Sequence, residues 1–312
     1  MLFARLCASI TAMQISEHLK GLLITFSAVL ILSPDALLVR LVHTDIWTLL
    51  FWRCLLTGSM ITLFLLVRYR RGLLQSCLAI GRTGLLSALL ITCGSLLFVS
   101  SLKQTAAANT LIILAATPVI SSLLSSLLLR EKIPLRTKIA IGTCFCGILL
   151  IFSGSLDSGL LLGDLLALGA TAMWGSNIVV IRRGKAVNMV PANALGNFCV
   201  VPIVLLLGAE PLAVTPVDAT YLLLLGGLVL PVAFAMITLA PRYLQAPEVS
   251  LILLTETVLG PIWVWLALDE IPHQRTILAG LLIVGTLLIH TLLSLRRTPT
   301  GPGDGIRQLS PS

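Results

Sequence analysis

The sequence is poor in charge. Only 11% of its 312 residues are Asp, Glu, Lys or Arg, against 57% hydrophobic. A water-soluble domain carries about 25% charged residues, because its surface must be hydrated. A chain with this deficit cannot hide its apolar residues in one aqueous core, so it needs lipid as its solvent. Acids are scarcer still, 13 against 21 bases, which leaves a formal net charge of +8. That excess does not point to nucleic acid, because the bases sit in small clusters between apolar runs and form no phosphate-tracking face. The seven cysteines (Cys7, Cys54, Cys77, Cys93, Cys144, Cys146 and Cys199) are odd in number and mostly inside apolar runs, so they are no disulfide framework. Cys144 and Cys146, two apart on a helix, point to different faces. His18, His43, His273 and His290 are equally dispersed, and no metal-ligand spacing is visible. P-loop, HExxH and GxSxG patterns are all missing, which removes ATP hydrolysis and the common membrane proteases. A non-enzyme is expected, with no catalytic residues, metal or cofactor.

What the sequence has is long apolar runs, with a mean hydropathy of +1.04. A spanning helix needs about 20 apolar residues. Runs near that length cover roughly 21–42, 46–67, 84–102, 106–129, 137–154, 161–181, 192–208, 219–240, 247–268 and 276–295. They must be helical, because an open strand cannot satisfy its backbone in lipid. The expected fold is therefore an all-α integral membrane protein of ten transmembrane helices. Residues 1–20 read as a short cytoplasmic leader without a cleavage pattern, and 296–312, rich in Pro, Gly and Ser, as a disordered cytoplasmic tail. With the N-terminus inside, 17 of the 21 Lys and Arg fall on one side of the membrane. Arg40, Lys103 and Arg275 fall on the other, and Arg53 lies within a span. That bias places both termini in the cytoplasm of a multi-pass cell (inner) membrane protein.

The chain also repeats itself. The stretch TPVISSLLSSLLLREKIP (117–134) parallels ETVLGPIWVWLALDEIP (256–272), each followed by a helix with spaced glycines, Gly142 and Gly147 or Gly280 and Gly285. Upstream, Ser33 to Arg40 aligns with Gly175 to Arg182. The offset is about 140 residues throughout, which gives two five-helix units, 21–154 and 161–295. Five is odd, so the second unit enters the membrane inverted. The strongly basic loop 130–138 and its counterpart 269–275, which carries a single arginine, agree with that. Inverted repeats with a site near the midplane are a transporter architecture.

Thr117-Pro118-Val119 through Glu131, Trp174-Gly175-Ser176-Asn177 and Gly163-Asp164 together resemble the EamA repeats of the drug/metabolite transporter superfamily, over roughly 21–295. The resemblance implies a secondary transporter whose relatives typically export amino acids or related metabolites, while others import them. One place departs from the family pattern. Leu32-Ser33-Pro34-Asp35 stands where a WGSN-like sequence is common, so a charge occupies a usually neutral position.

Ionisable residues within a span cost at least ~2.5–3.5 kcal/mol at the centre on insertion scales, so each is informative. Asp35 and Arg53 each fall about 10 Å below the outer surface at 1.5 Å per residue. They are expected to pair, as a charged gate or zwitterion receptor, or as a structural salt bridge. Pro34 and Pro118 free backbone carbonyls in their helices. Glu256 lies near the midplane, with Thr117 as its repeat mate; it could take up and release a proton, or hold a substrate amine or a neighbouring helix. Ser33, Asn109, Trp174, Asn177, Asn193 and Asn197 could line a cavity, though each alone is more often a helix–helix contact. The site candidates are thus Asp35, Arg53, Asn109, Thr117, Trp174, Asn177 and Glu256. The reading is a secondary transporter for a small polar metabolite, working by alternating access with export favoured. Its partners are a small-molecule substrate, a proton as candidate coupling ion, and the lipid bilayer. A channel would want a polar ring, a lipid enzyme an interfacial His/Asp cluster, and a duplicated scaffold no site at all.

Overall fold

A computed structural model describes residues 2–69, 79–129, 135–183, 189–239, 243–244 and 246–295. Every regular element among them is helical. In chain order these are α1 (Leu2–Leu32), α2 (Asp35–Leu41), α3 (Ile46–Tyr69), α4 (Gly81–Gln104), α5 (Ala107–Ala115), α6 (Thr117–Leu129) and α7 (Leu135–Ser158). The second half gives α8 (Leu161–Arg183), α9 (Val190–Leu206), α10 (Pro216–Leu222), a π-helical stretch Leu223–Val229, α11 (Leu230–Leu239), α12 (Ala246–Leu253), α13 (Glu256–Leu268) and α14 (Gln274–Leu295).

The count of ten spans is met only in part. Among the described residues, seven helices are long and apolar enough to cross a membrane, or eight if α5 and α6, bent by 40° at their break, form one span. The shortfall has a physical cause in the breaks. α13, with 13 residues, starts after a break and is too short for a straight span, while α9, with 17, stands at the short limit of one. The basic segments 70–78, 130–134 and 184–188 and the tail 296–312, on which the charge count leaned, lie outside the described residues.

The breaks fall in register with the repeat. α6 begins at Thr117 and α13 at Glu256, the two positions that the sequence alignment makes mates. α1 stops at Leu32, and Pro34, which lacks an N–H, precedes Asp35 at the start of α2. Its mate stretch in α8 carries no proline and runs unbroken from Leu161 to Arg183. Two apolar cores hold the bundle. One joins α2, α3, α4, α9 and the π-helical stretch through Leu49, Leu50, Leu102, Val200 and Leu225, all essentially inaccessible. The other joins α5, α7, α8 and α14 through Ile113, Ile151, Ala167 and Ile283. Large apolar side chains such as Val67, Leu135 and Leu281 stay exposed, as a lipid-facing surface requires.

The glycines divide. A Cβ on Gly147 would meet Ile283 at 2.6 Å and one on Gly280 would meet Ile112 at 2.9 Å, whereas Gly142 and Gly285 face open space. Only the first two serve close helix packing.

Candidate functional site

α2 and α3 carry Asp35 and Arg53 to the same depth, as their positions in the sequence require. Arg53 Nη2 donates to both Asp35 oxygens, at 3.1 and 3.3 Å, and each residue is only 6% exposed. The guanidinium lies over the Phe98 ring, 5.5 Å from its centroid, a favourable cation–π placement in a dry setting. Phe98 packs against Trp174 with centroids 5.2 Å apart, so an ion pair and two aromatic rings stack in one layer across α2, α3, α4 and α8. The π-helical stretch closes on this layer from the other side. A Cβ on Gly226 would sit 3.0 Å from the Arg53 carbonyl oxygen, and Thr57 Oγ1 donates to the Gly226 carbonyl at 3.4 Å. Wide turns of this kind recur at functional sites.

Glu256 sits half-buried in the first turn of α13, where the helix dipole favours an acid. α13 packs on α2 and α5: Trp263 Nε1 donates to Ser33 Oγ at 2.8 Å, beside the break in the first span. α13 thus packs on the helix that Asp35 opens. Thr117 turns back on its own break, donating Oγ1 to the Leu114 carbonyl at 2.6 Å. It caps the broken helix.

Beyond this layer the two ends of the bundle differ. Toward the end where α3 finishes and α4 starts, a cavity of about 600 Å³ opens between α3, α4, α8, α9 and α11. Asn177 and Asn193 line it, together with Ser87, whose hydroxyl donates to Asn177 Oδ1 at 2.6 Å. The rest of the described lining is apolar. Asn197 is not in the lining; it donates Nδ2 to the Asn193 carbonyl and side-chain oxygens, each at 2.9 Å.

At the opposite end polar contacts tie the helices together. Arg40 pairs with Glu270 at 3.2 Å and also donates to the Thr105 carbonyl. Glu270 accepts the Ala107 N–H at 2.9 Å. Lys103 reaches the Val42 carbonyl. His43 N–H donates to Asp218 at 2.9 Å, and Trp52 Nε1 to the Pro211 carbonyl at 3.1 Å. Asn109 belongs to this end. Its Nδ2 donates to Asp164 Oδ1 at 3.1 Å and Ser155 Oγ at 3.2 Å, and its Oδ1 accepts from Thr276 at 2.7 Å. Thr105 Oγ1 donates to Asp164 at 2.6 Å, so this fully buried carboxylate is held on one side of the bundle by α8 and on the other by α5.

The sequence candidates therefore separate. Asp35, Arg53 and Trp174 share one layer, Asn177 lines the cavity beside it, and Glu256 and Thr117 start the two half-helices. Asn109 joins a different, hydrogen-bond-saturated cluster. Sequence reasoning passed over Asp164, Ser87 and Phe98 as site residues. Asp164 was visible as an acid opening an apolar helix; Ser87 and Phe98 carry no signal before the helices are packed.

Both halves match the model of the EamA-like transporter family, at residues 19–153 and 161–292. The chain belongs to this family. EamA-like members are membrane transporters, which sets the class of this protein as a multi-pass membrane protein whose cargo is a small molecule. No curated protein matches the chain. Among solved structures, one described only as the crystal structure of a protein superposes with a TM-score of 0.63, over 90% of this chain and 99% of the other, at 19% identity. At that identity the likeness speaks to the EamA-like fold alone.

Proposed function

We propose that this EamA-like protein is a secondary transporter that exports a small polar metabolite, an amino acid or related compound, by alternating access. The observation that carries the proposal is the contrast around the Asp35–Arg53 layer: a cavity of about 600 Å³ on one side and cross-linked helix ends on the other. A carrier loading from the cytoplasm has this arrangement, with one gate shut and the other open. In this reading the chain crosses ten times, because α9 crosses alone and α12 with α13 forms a broken span like α5 with α6. Broken helices meeting at the midplane are where inverted-repeat carriers place their sites. The cavity-bearing end faces the cytoplasm of a cell (inner) membrane, following the positive-inside bias. Units 21–154 and 161–295 are the two moving halves. Glu256 is the coupling group for a proton, and Asp35 with Arg53 is the gate.

The reading is tested by comparing the metabolites retained by cells with and without the gene, then following the best candidate into proteoliposomes. Saturable movement that counter-flows against unlabelled cargo is the expected result. Flux that rises linearly with concentration without counterflow would mean a channel. Cysteines at Leu212 and Ile271, both well exposed, should label from outside intact cells, and cysteines at Arg82 and Leu135 should not. Outside labelling at Arg82 would overturn the topology.

A further inference from the structure

The cavity has a chemistry of its own. No acid or base occurs in its described lining, and the buried charges Asp35 and Arg53 already bind each other. Asn177 accepts a hydrogen bond from Ser87 and Asn193 accepts one from Asn197. Neither amide donates a side-chain hydrogen bond to any described residue, so two NH₂ groups remain available in an otherwise apolar wall. Leu63, Phe64 and Val67 line the cavity and are also 54%, 53% and 72% exposed. They make the cavity open along its side, at the level of the apolar belt.

Resting on the transport reading above, we propose that the cargo is an uncharged molecule with an apolar body and a carbonyl-type acceptor. The carbonyl docks on the Asn177 and Asn193 amides, and the body lies against Ile91, Phe64 and Val67. A charged ammonium or carboxylate would lose its hydration in this cavity and find no counter-charge, which strongly disfavours its entry. A neutral carbonyl loses far less water and gains two donors. An open-sided apolar cavity would otherwise hold a lipid acyl chain, so a cargo that competes there must itself partition into the bilayer. Among amino-acid-related compounds this selects amides and esters over the free zwitterion.

Four probes share one ring and differ in charge: indole-3-acetamide, tryptamine, indole-3-acetate and tryptophan. Equilibrium binding of each to the protein in nanodiscs, corrected with empty nanodiscs, should favour indole-3-acetamide by at least about tenfold. Asn177→Leu and Asn193→Leu should each weaken the amide about five- to tenfold, the equivalent of one hydrogen bond. Asn177→Asp should turn the preference toward tryptamine, a gain that a purely structural asparagine would not give. Monodisperse size-exclusion profiles for all three variants show that they fold. Tryptophan or indole-3-acetate binding as tightly as the amide overturns the inference, as does no binding above empty nanodiscs, or amide binding indifferent to both Leu variants. Displacement of the amide by phospholipid, equally in wild type and variants, means lipid occupancy and overturns it as well. Binding of the amide without uptake into proteoliposomes would instead defeat the transport reading and leave the site standing.

Discussion

The two ends of the bundle are held by different forces. At the end with Arg40 and Glu270, helices from both repeats are joined by ion pairs and by side chains reaching backbone carbonyls. Around the cavity at the other end the described residues make few such bonds, and the walls are mostly aliphatic. Directional bonds fix a closed state because each broken bond leaves a desolvated partner behind. Apolar surfaces in lipid slide past one another at little cost, since lipid replaces the lost contacts. The difference shows which gate must be unlocked and which needs only to close. Between the ends, the Asp35–Arg53 layer belongs to neither, and the comparison is broken most severely there. Asp35→Asn leaves Arg53 buried without its counter-ion, and removing one partner of a buried pair costs roughly 3–5 kcal/mol. Both Asp35→Asn and Arg53→Gln are expected to abolish transport and lower membrane abundance. The swap Asp35→Arg with Arg53→Asp should restore abundance on a quantitative blot. Normal transport by both single variants would show that the pair is neither gate nor support.

The sealed end offers the next largest effect. Asn109→Ala removes the donor to Asp164 and the acceptor for Thr276, leaving a buried carboxylate short of a bond. The expected loss is about 1–3 kcal/mol of stability, read as a lower midpoint for thermal unfolding in detergent. Cargo selectivity should not change, because Asn109 lines the smaller cavity at the sealed end and not the larger one. A changed selectivity would move Asn109 back among the binding residues, where the sequence had placed it.

How far the sequence reached is clearest from individual residues. The Asp35–Arg53 pair was legible because both charges stand alone in apolar helices, and depth follows from helical rise. The repeat was legible as well: Thr117 and Glu256, matched by alignment alone, both begin helices after a break. Span number was less so. Whether a helix crosses straight or breaks at Ala116 or Thr255 depends on what packs against it, not on local hydropathy. The role of Asn109 could not be read, since its partners lie 46, 55 and 167 residues away in the chain. Nor could the cavity be seen, because an aliphatic wall has no motif.

A smaller effect sharpens the comparison at the clasp itself. Arg40 and Glu270 are partly exposed, at 21% and 28% of their side chains, so their pair contributes less than the buried one. A cycle of Arg40→Gln, Glu270→Gln and the double variant should give a coupling energy of about 1 kcal/mol. The single variants should also speed modification of a cysteine placed at Ala106, which lines the smaller cavity at that end. Additive effects with unchanged labelling would mean that the clasp does not hold this end shut.

The last prediction has the least effect on folding and the most on mechanism. Glu256 opens α13 next to the break, beside the Asp35–Arg53 layer and in the repeat position of Thr117. The Thr117 hydroxyl is spent on the Leu114 carbonyl across the break and does not titrate, so of the two mates only Glu256 can exchange a proton. Glu256→Gln keeps the shape and the hydrogen-bonding capacity of the side chain while removing its titration. Folding and abundance should therefore be close to wild type. If Glu256 couples transport to protons, the variant still exchanges labelled for unlabelled cargo, because exchange needs only the two gates to alternate. What it loses is accumulation driven by a pH gradient, measured in proteoliposomes with an imposed pH step. If Glu256 instead held the cargo or braced a neighbouring helix, exchange and accumulation would fall together. A variant that still concentrates cargo on the pH step alone would acquit Glu256 of coupling. Asp35, the other acid of the layer, would then be the residue to neutralise in the charge-swapped background, where its partner is no longer stranded.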